Sequence, residues 1–167
     1  RKKRLLDWKD TAKLPWGILL LFGGGMALAI GFESSGLAVW IGSQLTLLEN
    51  IPLIILLLIL IVSVNFLTEI TSNLATTAML LPVLVSLARA INIHPYLLLV
   101  SATVAASCAF MLPVATPPNA VVFGSGYLKI NDMVKKGFWM NLISIIIITL
   151  FINFILPVIW DVSTPIG

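Results

Sequence analysis

Between Lys13 and Arg89 this 167-residue chain has no lysine or arginine, and the only acids in that interval are Glu33, Glu49 and Glu69. Soluble domains carry about a quarter charged residues. Here the figure is 10%, beside 59% hydrophobic residues and a mean hydropathy of +1.08, so a soluble domain is excluded and the uncharged interval reads as membrane. Cysteine is nearly absent: Cys108 stands alone in an apolar run, forms no intrachain disulfide and reads as a small core residue. His94 is the one histidine, in a turn ahead of Pro95, and reads as an interfacial loop residue rather than a metal ligand. No His-Glu-x-x-His run, nucleophile elbow or pair of catalytic carboxylates is present, so no enzyme is expected. The net charge of +3 gathers at the edges of apolar segments without interleaved aromatics, which excludes a nucleic-acid surface.

What is present is a succession of apolar segments cut by prolines and short polar runs. Arg1-Lys2-Lys3-Arg4 has no initiator Met and runs too soon into acids and Trp8 to be a signal peptide, so a piece of a longer chain is expected. Residues 15–32 predict a first span, whose Gly23-Gly24-Gly25 reads as a close-packing face against a neighbouring helix rather than a ligand loop. Residues 33–50, with Trp40 and Gln44, predict an amphipathic interfacial helix. A helical hairpin follows, with arms over 52–70 and 74–90 and a polar, uncharged tip at Thr71-Ser72-Asn73. The apolar stretch 95–128 is too long for one straight span of about 20 residues, so it breaks where Pro113, Pro117 and Pro118 lie. Residues 137–160 predict the last span, anchored by Trp139 and Trp160. Three regions result: 1–51, a basic segment, first span and interfacial helix; 52–128, the hairpin and broken helix; 129–167, the last span and tail. With the N-terminus cytoplasmic, Lys129, Lys135 and Lys136 join the N-terminal bases inside and Arg89 alone lies outside. Both arms are long enough to cross completely, and loop sidedness does not separate that from a re-entrant hairpin. The uncharged tip favours the re-entrant form.

The two polar breaks, 71–73 and 115–119, carry the chemistry. Non-helical backbone at membrane depth is tolerated only where it is buried in protein or lines a hydrated cavity. Ser72 and Asn73 fall in the N-cap region of the second arm, and Asn119 falls at the start of a short half-helix expected over 120–128. Both places are positive helix ends suited to an anion. The first arm, ending near Thr68 to Thr71, and the long half-helix, expected to end near Val114 and Ala115, offer carbonyls suited to dehydrated Na+. Glu69 is the one acid deep in the apolar run. It reads equally as a group carrying a proton or sensing a cation and as one that holds the tip by hydrogen bonds. Broken helices also line pores, so a pore-lining or structural membrane subunit is the alternative.

At these residues the chain resembles the divalent anion:sodium symporters, the INDY-type carriers of dicarboxylates and citrate. The resemblance rests on Thr68-Glu69-Ile70-Thr71-Ser72-Asn73-Leu74 and on 109–120, with Pro113-Val114-Ala115-Thr116-Pro117-Pro118-Asn119, and it extends over essentially the whole chain. It implies an all-α membrane protein: half of an inverted-repeat transporter, with a re-entrant hairpin and a broken transmembrane helix. It further implies an elevator-like homodimer in a plasma or bacterial inner membrane, performing Na+-coupled symport of di- or tricarboxylates such as succinate or citrate. By position, Ser72, Asn73, Thr116 and Pro117 would contact the carboxylate, and Thr68, Thr71, Asn73 and Ala115 would surround a Na+. The N-terminal half of the same carrier would supply the other tip. Leu74 departs from the family's threonine, which puts a contact from that position in doubt.

Overall fold

The computed structural model describes residues 16–37, 40, 51–160 and 162, and all regular structure among them is helical. The helices are α1 (Trp16–Ser34), α2 (Leu53–Thr68), α3 (Asn73–Ala90), α4 (Pro95–Ser107), α5 (Pro117–Gly124) and α6 (Ile130–Leu150). A π-helical turn (Phe151–Ile155) carries α6 into α7 (Leu156–Ile159). The basic N-terminal segment and most of the expected interfacial helix lie outside the described residues.

Local chemistry sets most boundaries. Pro52 precedes α2, while Ser72 caps α3, its Oγ accepting from the Ala75 N–H at 3.5 Å. Asn92 turns the chain with φ 55°, a conformation asparagine tolerates, and Ile93 N–H reaches back to the Ala88 carbonyl at 3.0 Å. His94 then caps α4, its Nδ1 accepting from Tyr96 N–H at 3.2 Å, and Pro95 fits the first turn, where no N–H is needed. The placement of His94 agrees with a loop residue at a helix start.

α2 lies at the centre, packed against α4 and α6, while α3 packs on α4 and α1 along α3. Leu57, Ile61 and Val64 of α2 meet Leu97, Leu98, Ala102 and Ala105 of α4, with Ile145, Ile148 and Ile152 closing the core. Ring contacts add to it: Phe66 lies 6.1 Å from Phe138, and Tyr96 lies 5.7 Å from Trp160.

Three expectations are corrected. The long half-helix ends at Ser107, not near Val114, because the N–H groups of residues 110–112 are taken by the side chain of Glu69, just past α2, instead of the preceding turn. The short half-helix begins at Pro117 under a Thr116 cap rather than at 120, since two prolines suit a first turn. The last helix begins at Ile130 rather than Gly137, with Asp132 favourably placed in its first turn. Among the described residues an added Cβ on Gly23 or Gly24 would meet nothing within 4 Å, so their expected packing partner is not among them.

Candidate functional site

Four polar side chains, Asn65, Thr68, Glu69 and Asn141, are buried inside apolar helices or their ends, and such groups need partners. They find them in the second break. The Glu69 carboxylate sits just past α2 and accepts every bond it makes. Its Oε1 receives Phe110 N–H at 2.8 Å, Met111 N–H at 2.9 Å and Asn141 Nδ2 at 2.8 Å, and its Oε2 receives Leu112 N–H at 3.1 Å. One carboxylate therefore replaces the helical acceptors that residues 110–112 have given up. Asn141 of α6 supports the same place from the other side, its Oδ1 accepting from Phe110 N–H at 3.3 Å. These hydrogen bonds give Glu69 a structural role, but they hold residues 110–112 of the second break rather than the tip at 71–73.

The end of α4 is gripped by α2 as well. Asn65 Nδ2 donates to the Cys108 carbonyl at 2.6 Å, and Thr68 Oγ1 lies 2.8 Å from the Ala106 carbonyl. α6 presses against the break at Gly137, where a Cβ would stand 2.3 Å from the Phe110 carbonyl oxygen and 2.5 Å from Met111 Cα. Only glycine permits that approach.

At the tip, Thr68 Oγ1 also lies 2.5 Å from the side-chain oxygen of Asn73. A hydroxyl has one proton, so it cannot donate to Ala106 and to Asn73 at once. With the Asn73 NH2 turned toward Thr68 both contacts are served, the amide donating to Thr68 and Thr68 to Ala106. Thr71 Oγ1 is 2.9 Å from the Leu67 carbonyl and 2.6 Å from Thr76 Oγ1, which ties the tip to both arms. Ser72 and Leu74 are exposed, the latter 48%, while Asn73 is half-buried.

At the break, Ala115 is buried, Thr116 is half-buried and Pro117 is exposed. Thr116 Oγ1 accepts from Asn119 N–H at 3.3 Å and so caps α5. Asn119 sits inside the first turn, and its NH2 group bonds the carbonyls of Ala109 at 2.9 Å and Leu112 at 3.1 Å. Its donors are spent closing the loop, so Asn119 does not offer its amide N–H groups to an anion. Tip and break are joined by the three α2-side residues Asn65, Thr68 and Glu69. Sequence reasoning missed Asn65, Asn141 and Gly137. The two asparagines were detectable as lone amides within apolar helices, whereas nothing local marks Gly137.

No group of three or more His, Cys, Asp or Glu side chains suited to a metal exists among the described residues. Oxygen ligands of backbone, hydroxyl and amide remain, which suit a hard cation.

Among the described residues two helices, Asn73–Ala90 and the continuous Ile130–Ile159, are long and apolar enough to cross a membrane, and the polar groups gather where shorter apolar helices break. This construction fits an all-helical integral membrane protein. The chain belongs to the family described as the sodium:sulfate symporter transmembrane region, whose model matches residues 2–160. It is 52% identical over 167 residues to the sodium-dependent dicarboxylate transporter SdcS of Staphylococcus saprophyticus, covering 99% of this chain and 32% of that protein. The SdcS of Staphylococcus aureus strain MRSA252 is 49% identical over the same length, with the same shares covered. The chain thus spans about a third of the length of these relatives. The family is one of transporters, not enzymes.

Proposed function

We propose that this chain is the C-terminal part of a Na+-coupled carrier that moves dicarboxylates across a membrane, and that it supplies one half of the substrate and cation site. The observation that carries the reading is the cluster of Thr68 Oγ1, the Asn73 amide and the Ala106 carbonyl beside the tip, which offers a cation adjacent oxygen ligands. Thr68, Thr71, Asn73 and the Ala115 backbone are the proposed Na+ ligands. Ser72, Asn73, Thr116 and Pro117 are the proposed carboxylate contacts, at the positive N-terminal ends of α3 and α5. Asn119 acts in this reading by closing the loop behind Thr116.

In the same reading α2 and α3 form a re-entrant hairpin, because α2, with 16 residues, rises about 24 Å against a hydrocarbon core of about 30 Å. The N-terminus of the segment is cytoplasmic, on the side of Lys129, Lys135 and Lys136. The membrane is a plasma or bacterial inner membrane. The rest of the carrier supplies the inverted partner repeat, and two copies form a homodimer in which the transport domain moves as an elevator. Relatives named for dicarboxylate transport favour succinate-like substrates, with citrate as a larger variant.

The test is uptake of labelled succinate and citrate by the full-length carrier in proteoliposomes, with and without a Na+ gradient. Saturable, Na+-driven uptake with counterflow is expected. Asn73→Ala should weaken Na+ and substrate together, since one amide offers oxygen to a cation and NH2 to a carboxylate. A charge-assisted hydrogen bond is worth roughly 1.5–3 kcal/mol, so apparent substrate affinity should fall about ten- to a hundredfold. Non-saturating flux independent of Na+ would instead indicate a pore.

A further inference from the structure

Asn65 is fully buried in apolar α2, and its amide can face only one way. Nδ2 donates to the Cys108 carbonyl at 2.6 Å, and turning the amide over would set oxygen against oxygen. Its Oδ1 is therefore aimed elsewhere. Among the described residues it is the one buried side-chain nitrogen or oxygen without a hydrogen-bond partner. Buried acceptors in native proteins are met by a donor, a water or an ion.

The surroundings decide between them. Asn65 and Thr68 grip the C-terminal end of α4, where the helix dipole is negative and no basic residue lies in the last turn. The carbonyls of that end keep a second lone pair each. Thr68, one turn further along the same face of α2, lies against the Ala106 carbonyl of the same end. A water brings two protons and so serves at most two of these acceptors. A cation asks only for acceptors.

We infer that Asn65 Oδ1 is a ligand of a buried monovalent cation, held with carbonyl oxygens at the C-terminal end of α4 and separate from the Thr68, Thr71, Asn73 and Ala115 group. The inference rests on the Na+-coupled reading and adds a second, deeper cation position to it. A bound cation there would also stiffen the junction between α2 and the break, so it would be occupied before substrate arrives.

The experiment is 22Na+ binding to the purified full-length carrier without substrate, counted per protomer, for wild type, Asn65→Leu and Asn65→Ala. The leucine variant should bind one Na+ fewer than wild type. The alanine variant removes the same oxygen with less bulk, so it should show the same loss. It also decides the matter if the leucine variant fails to fold. A folded variant of either kind with the wild-type count would overturn the inference and leave a water as the occupant. Wild-type carrier that binds no Na+ at all would overturn the proposed function and this inference with it.

Discussion

Glu69 bears the largest share of the structural work of any single side chain near the site. Its carboxylate accepts three backbone N–H groups from residues 110–112 and one from the Asn141 amide, and it adjoins Thr68, which touches Asn73. Glu69→Gln turns an acceptor into an NH2 facing N–H groups. Leaving buried partners unsatisfied costs about 1–3 kcal/mol, so the melting temperature of the full-length carrier should fall and Na+ half-saturation should rise. A proton-carrying role predicts the opposite pattern: unchanged melting temperature with altered pH dependence of transport. Thermal unfolding beside transport measured across pH separates the two.

Among the elements, the broken helix is the one whose residues were only partly readable. Pro113, Pro117 and Pro118 announced a break, and Ser72 and Pro95 announced helix starts, because proline and capping residues act locally. The early end of α4 at Ser107 was not legible, since it depends on Glu69, which lies 41 positions earlier than Phe110. The same holds for α6, whose close approach at Gly137 is a tertiary fact carried by a residue that looks ordinary in sequence. Gly137→Ala puts a Cβ into the Phe110 carbonyl, and because the obstacle is backbone the break itself must move. Overpacking of this kind costs typically 1–3 kcal/mol. The expected result is weaker Na+ binding by the full-length carrier with its helical content intact, checked by 22Na+ binding and circular dichroism. Unchanged binding would mean that α6 does not position the break.

For the whole molecule, the described helices bury one apolar core while leaving extensive apolar surface on α6 and α1, as Trp139, Ile146, Ile147 and Leu20 illustrate. That surface suits lipid and, in the proposed function, the rest of a carrier. The chain alone should therefore enter a membrane and yet fail to transport, because only one tip of the proposed pair is present. Vesicles containing this chain alone should give no Na+-driven succinate uptake, and robust uptake would refute the half-site reading. In the proposed function the tip at 71–73 is a hydrated binding surface for Na+ and a dicarboxylate. The decisive measurement uses Ser72→Cys in the full-length carrier, on a background with Cys108 and any other cysteine replaced, treated with a membrane-impermeant thiol reagent. Labelling is expected that Na+ plus succinate suppresses and that neither K+ nor succinate alone suppresses to the same extent. A folded variant that resists labelling from both sides of the membrane, or one labelled equally with and without Na+ and succinate, would contradict it.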